Sequence, residues 1–182
     1  MKALSTFPQT IKTQRLMLRV LAPVNENAKK LFDVIEQNRE YLEAWQGHFA
    51  EIKNIDDVLA YLNKRMNQIK TNEGVCFYIF HNDNLIGRIR FFHIKDTSCE
   101  IGYWLDKSAN GQGFMSEALS GLENELCKFG FDKITLDIDN GNKPSENLAI
   151  RNNYKLSKRL PMASYAKCVG KCDSLIYEKK VR

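Results

Sequence analysis

The spacing of apolar residues along the chain alternates between the two-residue period of a strand and the three-to-four-residue period of a helix. Residues 13–21 (TQRLMLRVL) alternate apolar and polar side chains, which predicts a first strand ended by Pro23. A helix is predicted after Asn25 and a short turn near residues 41–45. A longer apolar stripe begins at Asn54 and stops at residues 72–74. Two helices are therefore expected to follow one strand.

The rest of the chain mixes both periods. Residues 75–81 and 85–93 predict a hairpin joined by residues 82–84 (NDN), and residues 99–105 predict a third strand. A helix is predicted from residue 115 to Gly130. The remaining elements are a strand at 133–138, a short helix at 145–152 and closing strands at 154–160 and 174–181. This order predicts an α+β fold.

The composition fits a single globular domain over residues 1–182. The chain is 43% apolar and 27% charged, and its length matches one domain with its own core. It has no long uncharged apolar run, which excludes a membrane-spanning helix. Because the first 14 residues lack the pattern of an export signal, the sequence predicts a cytoplasmic protein with no membrane partner.

The five cysteines are an odd, scattered set, which predicts reduced thiols. Cys168 and Cys172 are close in sequence but have neither the usual zinc spacing nor a nearby histidine. No metal site is expected.

The net charge of +5 is unevenly distributed. Residues 21–60 hold eight acidic against four basic residues, and the basic excess elsewhere is dispersed. Because no compact basic run is interleaved with aromatic residues, no nucleic-acid partner is expected.

Residues 99–119 (CEIGYWLDKSANGQGFMSEAL) carry the clearest chemical signal. Gly111 and Gly113 stand between a predicted strand and a predicted helix. Such a turn can direct several backbone N–H groups to one point at a helix N-terminus, which favours an anion. The pattern is neither a Walker A loop nor a complete dinucleotide fingerprint. The residues alone leave two possibilities open, a phosphate site and a tight structural loop.

Residues 100–106 and 110–119 together resemble the acetyl-CoA-binding motif of the GNAT superfamily of N-acetyltransferases. They most resemble the branch of bacterial ribosomal-protein-serine and ribosomal-protein-alanine N-acetyltransferases. The likeness extends from residues 13–21 through 85–87 to Asn142, Ser145 and residues 151–154. It implies a central, mostly antiparallel twisted sheet flanked by helices, acetyl-CoA as cosubstrate and a homodimer.

The resemblance also implies a cofactor site. Backbone groups of Trp104 and Leu105 would contact the pantetheine and the acetyl carbonyl, and Asn142 would contact the pantetheine arm. The pyrophosphate would lie on the loop and helix start, formed by Gly111, Gln112, Gly113, Phe114, Met115 and the Ser116 hydroxyl. Structural alternatives remain open: a strand aromatic for Trp104, a first-turn residue for Ser116 and an N-cap for Asn142.

The resemblance is less complete for catalysis. Many superfamily members carry a general-acid Tyr where this chain has Ala149, whereas the serine transferases use a Ser that corresponds to Ser145. Their Glu, which orders a water, corresponds to residues 163–165 (ASY). Ser145 is therefore the expected acid, with a first-turn helix hydroxyl as its alternative.

Glu100 is the expected candidate for the base. By strand alternation it shares a face with Gly102 and Trp104, so it either acts through a water molecule or forms a cross-strand ion pair with Arg88 or Arg90. Cys99 faces the other way and has no evident His or Asp partner, which disfavours a covalent route.

These features predict direct attack of a neutral amine on acetyl-CoA. The resemblance favours the N-terminal α-amine of a protein, and the acidic helices of residues 21–60 could attract its charged form. Two alternatives stay open: a small-amine (polyamine or aminoglycoside) acetyltransferase, and a non-catalytic acyl-CoA sensor with the same fold.

Overall fold

A computed structural model describes residues 2–181. Eight strands form one sheet with the spatial order β1-β2-β3-β4-β5-β6-β8-β7. β5 and β6 are parallel, and all other neighbouring strands are antiparallel. The strands are β1 (Thr10–Lys12), β2 (Leu16–Arg19), β3 (Gly74–His81), β4 (Asn84–Lys95), β5 (Ser98–Leu105), β6 (Lys133–Asp139), β7 (Lys155–Ala166) and β8 (Gly170–Lys180). The predicted α+β fold with a mostly antiparallel sheet is confirmed.

Five α-helices accompany the sheet in the described residues: α1 (Asn25–Gln37), α2 (Arg39–Trp45), α3 (Ile55–Lys70), α4 (Phe114–Phe129) and α5 (Lys143–Arg151). α3 starts with a capping box, because the Asn54 side chain accepts from the Asp57 backbone N–H at 3.0 Å and the Asp57 carboxylate accepts from that of Asn54 at 3.1 Å. Gly130, with φ +121°, ends α4 as predicted.

The apolar residues form two clusters, one on each face of the sheet. β3 contributes to both, because Phe77 and Ile79 belong to one cluster while Cys76 and Tyr78 belong to the other. The first cluster includes Leu119 and other α4 residues. The second includes residues of α1 and α3. A sheet covered on both faces explains why β3 is apolar almost throughout.

The sheet divides between β5 and β6. Their pairing is limited to Ser98 with Lys133, Cys99 with Ile134 and Glu100 with Thr135. Beyond Glu100, β5 stays paired with β4 as far as Leu105, while β6 continues along β8. The carboxyl-terminal halves of the two strands therefore diverge and leave a cleft in the sheet.

The two ends of the sheet differ from the predicted strands. Residues 13–15 form a turn that links β1 to a shorter β2, because the Thr13 hydroxyl accepts from the Leu16 backbone N–H at 3.1 Å. β7 is longer than predicted and continues past a register shift between Leu160 and Ser164. Met162, with φ +52°, lies in this irregular stretch, which strand alternation does not reveal.

Candidate active site

Two adjoining cavities occupy the region where β5 and β6 diverge. The large cavity, of about 810 Å³, is bordered by α2, the end of β5 and the starts of α4 and α5. The small cavity, of about 290 Å³, lies between β4, the carboxyl-terminal part of β6 and the residues after α2. Both are lined by Trp45, Gln46, Tyr103, Asn142 and Ser145, so these five residues mark the junction.

The glycine loop borders the large cavity. Gly111 and Gly113 have φ values of +76° and +78°, a left-handed backbone conformation that side chains disfavour. α4 begins directly afterwards, and Phe114, Met115 and Ser116 of its first turn line the cavity. Because the first N–H groups of a helix have no intrahelical partner, this arrangement fits an anion such as a phosphate.

Arg15 braces this loop from the turn between β1 and β2. Its Nη1 donates to the Gln112 carbonyl oxygen at 3.1 Å, its Nε donates to Glu117 at 2.7 Å, and its guanidinium lies 4.6 Å from the Phe114 ring centre. Burial alone would raise the pKa of Glu117, but hydrogen bonds from Thr13 and Arg15 together lower it. The sequence predicted only a strand position for Arg15. The signal that could have indicated a basic partner was Glu117, an acidic residue in the first turn of α4.

Most of the predicted cofactor-binding residues line the large cavity: Trp104, Leu105, Gly111, Gly113, Phe114, Met115, Ser116 and Asn142. Gln112 is not among its lining residues, because its carbonyl accepts from Arg15 and its side-chain amide donates to the Ser108 carbonyl at 3.1 Å. Its position supports the loop from outside the cavity.

Two of these residues combine a structural contact with a free donor. The Ser116 hydroxyl oxygen accepts from Asn152 at 3.1 Å and can still donate its own hydrogen. The Asn142 side-chain oxygen accepts from the Ser145 backbone N–H at 3.3 Å as the N-cap of α5. Within the described residues, the Asn142 amide nitrogen donates to no other group. The cap geometry therefore does not exclude ligand binding.

Two hydroxyl groups meet at the junction of the cavities. Ser145 lies in the first turn of α5, and the buried Tyr103 hydroxyl next to it has no hydrogen bond of normal geometry within residues 2–181. Burial raises the pKa of Tyr103 to about 12, although Ser145 and the Arg151 charge oppose the rise. Tyr103 is therefore protonated at neutral pH. Sequence reasoning missed it, because a tyrosine in a strand is usually a packing residue.

Gln46 ties the end of α2 to the open side of β5. Its Nε2 donates to the Tyr103 carbonyl oxygen at 2.9 Å, and its Oε1 accepts from Arg88 at 3.1 Å. The Gln46 side chain thus connects the end of α2, which borders both cavities, to β4 and β5. Nothing in its sequence context signalled this role.

The walls of the small cavity carry opposite charges. Arg88 and Arg90 line it from β4, whereas Asp137 and Asp139 line it from β6. Burial lowers the pKa of the neighbouring His48 to about 3, and the charges of nearby arginines act in the same direction. His48 is therefore neutral at physiological pH.

Glu100 does not reach either cavity. Its register partner on β4 is Phe92, and its carboxylate lies 3.0 Å from His93 Nδ1. The Phe92 ring fills the space over Gly102, the next residue on the same face, where an added Cβ would meet it at 3.2 Å. The expected alternative, an ion pair with Arg88 or Arg90, is not formed.

Two other expectations can be compared with this geometry. The residues of 21–60 that line the cavities are Tyr41, Leu42, Trp45, Gln46 and His48, none of them acidic. An attraction of the amine by the acidic residues of this stretch would therefore act only from a distance and stays a prediction, and the carboxylates at the small cavity come from β6. Cys99 packs in the core and burial raises its pKa to about 12, which disfavours a thiolate nucleophile.

No helix within residues 2–181 combines the length and apolar character needed to cross a membrane. In that same range, no group of three or more His, Cys, Asp or Glu side chains is placed to hold a metal ion.

The family model described as "Acetyltransferase (GNAT) domain" matches residues 15–155. Ribosomal-protein-serine acetyltransferase of Escherichia coli (strain K12) is 28% identical over 160 residues, which is 86% of this chain and 89% of the relative. The solved structure of RimL, a ribosomal L7/L12 alpha-N-protein acetyltransferase in complex with coenzyme A, has a TM-score of 0.88. It is 21% identical, and the match covers 94% of this chain and 97% of RimL.

A second solved structure is the microcin C7 self-immunity acetyltransferase MccE in complex with acetyl-CoA and AMP. It has a TM-score of 0.86 and 24% identity, and the match covers 95% of this chain and 97% of that chain. The chain belongs to the GNAT acetyltransferase family. The expected fold, the expected enzyme class and acetyl-CoA as the cosubstrate of that class are thereby confirmed at the level of the family.

Proposed function

We propose that this protein transfers the acetyl group of acetyl-CoA to the N-terminal α-amine of a protein. The single observation that carries the proposal is the junction at Ser145, where a cavity rich in backbone donors meets a cavity with charged side chains. The Escherichia coli relative, named as a ribosomal-protein-serine acetyltransferase, supports the α-amine as acceptor. The homodimer and the cytoplasmic location remain predictions.

The large cavity fits acetyl-CoA. Its pyrophosphate would lie on the glycine loop and the first turn of α4, and the side chains of Lys107 and Arg151, which line the same cavity, add positive charge. The pantetheine would run along the open side of β5, past Trp104 and Asn142. This path brings the acetyl group to the junction, next to Ser145.

The acceptor would enter from the small cavity and attack directly. The nitrogen lone pair forms a bond to the acetyl carbonyl carbon, and the resulting tetrahedral intermediate breaks the carbon–sulfur bond. Ser145 passes its hydroxyl proton to the departing thiolate while it takes a proton from water or from the adjacent Tyr103 hydroxyl in the same step, and solvent replaces any proton that Tyr103 gives up. Since a free thiol has a pKa of about 8.5, the thiolate is a good leaving group, and a well-placed hydroxyl is enough to assist it.

The nitrogen must also lose a proton. We assign this step to Asp139, acting through water, with Asp137 beside it on the same face of β6. Ser164, in the stretch 163–165 that corresponds by resemblance to the Glu region of the serine transferases, donates a hydrogen bond to Asp139. The chain thus has a carboxylate near that stretch, but on β6, which β8 separates from β7 in the sheet. Glu100 receives no role in this proposal.

The second candidate is acetylation of a small amine. The observation in its favour is the size of the small cavity, about 290 Å³, which is at the lower limit of ordinary ligand pockets. A non-catalytic sensor is less well supported, because a sensor does not require paired hydroxyls at the junction or carboxylates in the small cavity.

Acetylation of a panel of amines tests the proposal. Release of free coenzyme A thiol would be measured with peptides that begin with Ser or Ala, with the same peptides blocked at the α-amine but containing Lys, and with spermidine. We expect turnover only with the free α-amine, and mass spectrometry should locate the acetyl group there. Acetylated Lys, or faster turnover of spermidine, would refute it.

A further inference from the structure

Three arginines beside the small cavity lack a carboxylate partner. Arg15, Arg19, Arg39 and Arg159 all form salt bridges, but among the described residues Arg65, Arg88, Arg90 and Arg151 form none, and Arg151 lines the large cavity instead. Arg88 and Arg90 line the cavity, and Arg88 is only 2% exposed. A charge buried to this extent normally has an ionic partner.

The contacts that these arginines do make are neutral. Arg88 donates to the Tyr61 hydroxyl and to the Gln46 side-chain oxygen. Arg90 stacks 3.9 Å from the Phe92 ring centre, and Arg65 lies 4.5 Å from that of Tyr61. The Nε atoms of all three arginines are buried and have no hydrogen-bond partner within residues 2–181.

The uncompensated charge affects its neighbours. Burial lowers the pKa of Arg90 to about 10, and the charges of Arg88 and Arg65 contribute, so Arg90 remains protonated at neutral pH. Asp137 and Asp139 line the opposite wall, where they accept hydrogen bonds from Ser174 and Ser164. The cavity therefore has one cationic and one anionic wall.

We infer that Arg88 and Arg90, supported by Arg65, bind an oxyanion that the acceptor carries close to its amine, while Asp137 and Asp139 face the amine. The acceptor class is an amine with a nearby carboxylate or phosphate, such as a peptide with an acidic second residue. For a peptide acceptor, this inference rests on the proposed function. It adds one requirement to that function, which is an oxyanion close to the amine.

Paired acceptors test the requirement. The peptide Ser-Asp-Ala-Ala-amide would be compared with its neutral isostere Ser-Asn-Ala-Ala-amide, and O-phosphoethanolamine with ethanolamine. We expect kcat/KM for the charged member of at least one pair to be about tenfold higher, because hydrogen bonds to charged groups are the stronger ones. The peptide pair identifies a carboxylate source, and the ethanolamine pair identifies a phosphate source.

Arg90 is the residue to substitute, since Arg88 is too deeply buried for a clean test. Arg90→Gln should reduce the charged-to-neutral ratio to about one, and Arg90→Lys should restore part of it. Arg19→Gln is the matched control: Arg19 stacks 4.7 Å from the Phe80 ring centre but lines neither cavity. It should leave the ratio unchanged.

A measurement without turnover separates this inference from the proposed function. Inorganic phosphate should shift the NMR signals of the His48 ring in the wild type and not in Arg90→Gln. Equal rates within both pairs, together with an unmoved His48 signal, would overturn the inference even if neutral peptides are acetylated. If only O-phosphoethanolamine is acetylated and His48 responds, the inference holds and the protein acceptor is refuted.

Discussion

The large and the small cavity meet at the same five residues but are built in different ways. The large cavity depends on backbone conformation: two glycines with positive φ and the start of α4. The small cavity depends on side chains from β4, β6 and the segment after α2, which are far apart in sequence. Backbone-built sites recognise what all family members share, whereas side-chain walls are free to define what each member acetylates.

The largest effect is expected where the backbone-built site is disrupted. Gly113→Asp places a carboxylate where phosphate is proposed to bind, so the dissociation constant of acetyl-CoA should rise at least about 100-fold. Isothermal titration calorimetry measures it. Gly170→Asp is the matched control, because Gly170 has a φ of +74°, open space around it and no contact with either cavity. Equal affinity in both folded variants would remove the pyrophosphate site from the loop.

A substitution at the junction should change kcat rather than KM. Ser145→Ala is expected to lower kcat about 10- to 100-fold with little change in KM, because the leaving thiolate needs its proton only in the transition state. Steady-state kinetics measures both constants, and Ser120→Ala, on the exposed side of α4, serves as control. If the chemical step limits the rate and Ser145→Ala keeps the wild-type kcat and KM, Ser145 has only a structural role in α5.

The pH dependence of kcat/KM tests whether a side chain that lines the small cavity changes its protonation state between pH 5 and 9. The attacking amine must be neutral, so kcat/KM should rise about tenfold per pH unit below the α-amine pKa of about 7.7–8.0 and level off above it. His48, with a pKa lowered to about 3, and Tyr103, with a pKa raised to about 12, should add no limb between pH 5 and 9. An additional ionisation near pH 6.5 that disappears in His48→Gln would contradict this assignment.

The smallest effects distinguish two carboxylates. Asp139→Asn should lower kcat/KM about 5- to 10-fold through loss of the water-mediated base, an effect smaller than the roughly 100- to 10,000-fold that is typical of a directly acting acid or base. Glu100→Gln should change it less than about twofold, since Glu100 contacts His93 outside both cavities. Both variants remove one negative charge, which makes them a matched pair. If Glu100→Gln lowers kcat/KM more than Asp139→Asn does, the base is Glu100 and not Asp139.

The difference between the cavities also explains what could be predicted from the sequence. The glycine loop, α4 and the α5 cap are local features, because a few adjacent residues determine each of them. Tyr103, Gln46 and Arg88 gain their positions only when α2, β4 and β5 come together, and no local pattern records that. Glu100 illustrates the limit: its strand face was assigned correctly, but the Phe92 ring that separates it from the small cavity belongs to another strand.

The divergence of β5 and β6 has a consequence for the lifetime of the protein. Residues 101–105 continue beyond the last β5–β6 pair, so the interior of the sheet contains a strand edge with no partner strand on that side. A bound cosubstrate would cover that edge. At a concentration 100 times its dissociation constant, a ligand stabilises the folded state by about 2.7 kcal/mol. We therefore expect the supply of acetyl-CoA in the cell to influence how long each molecule survives, and not only how fast it works.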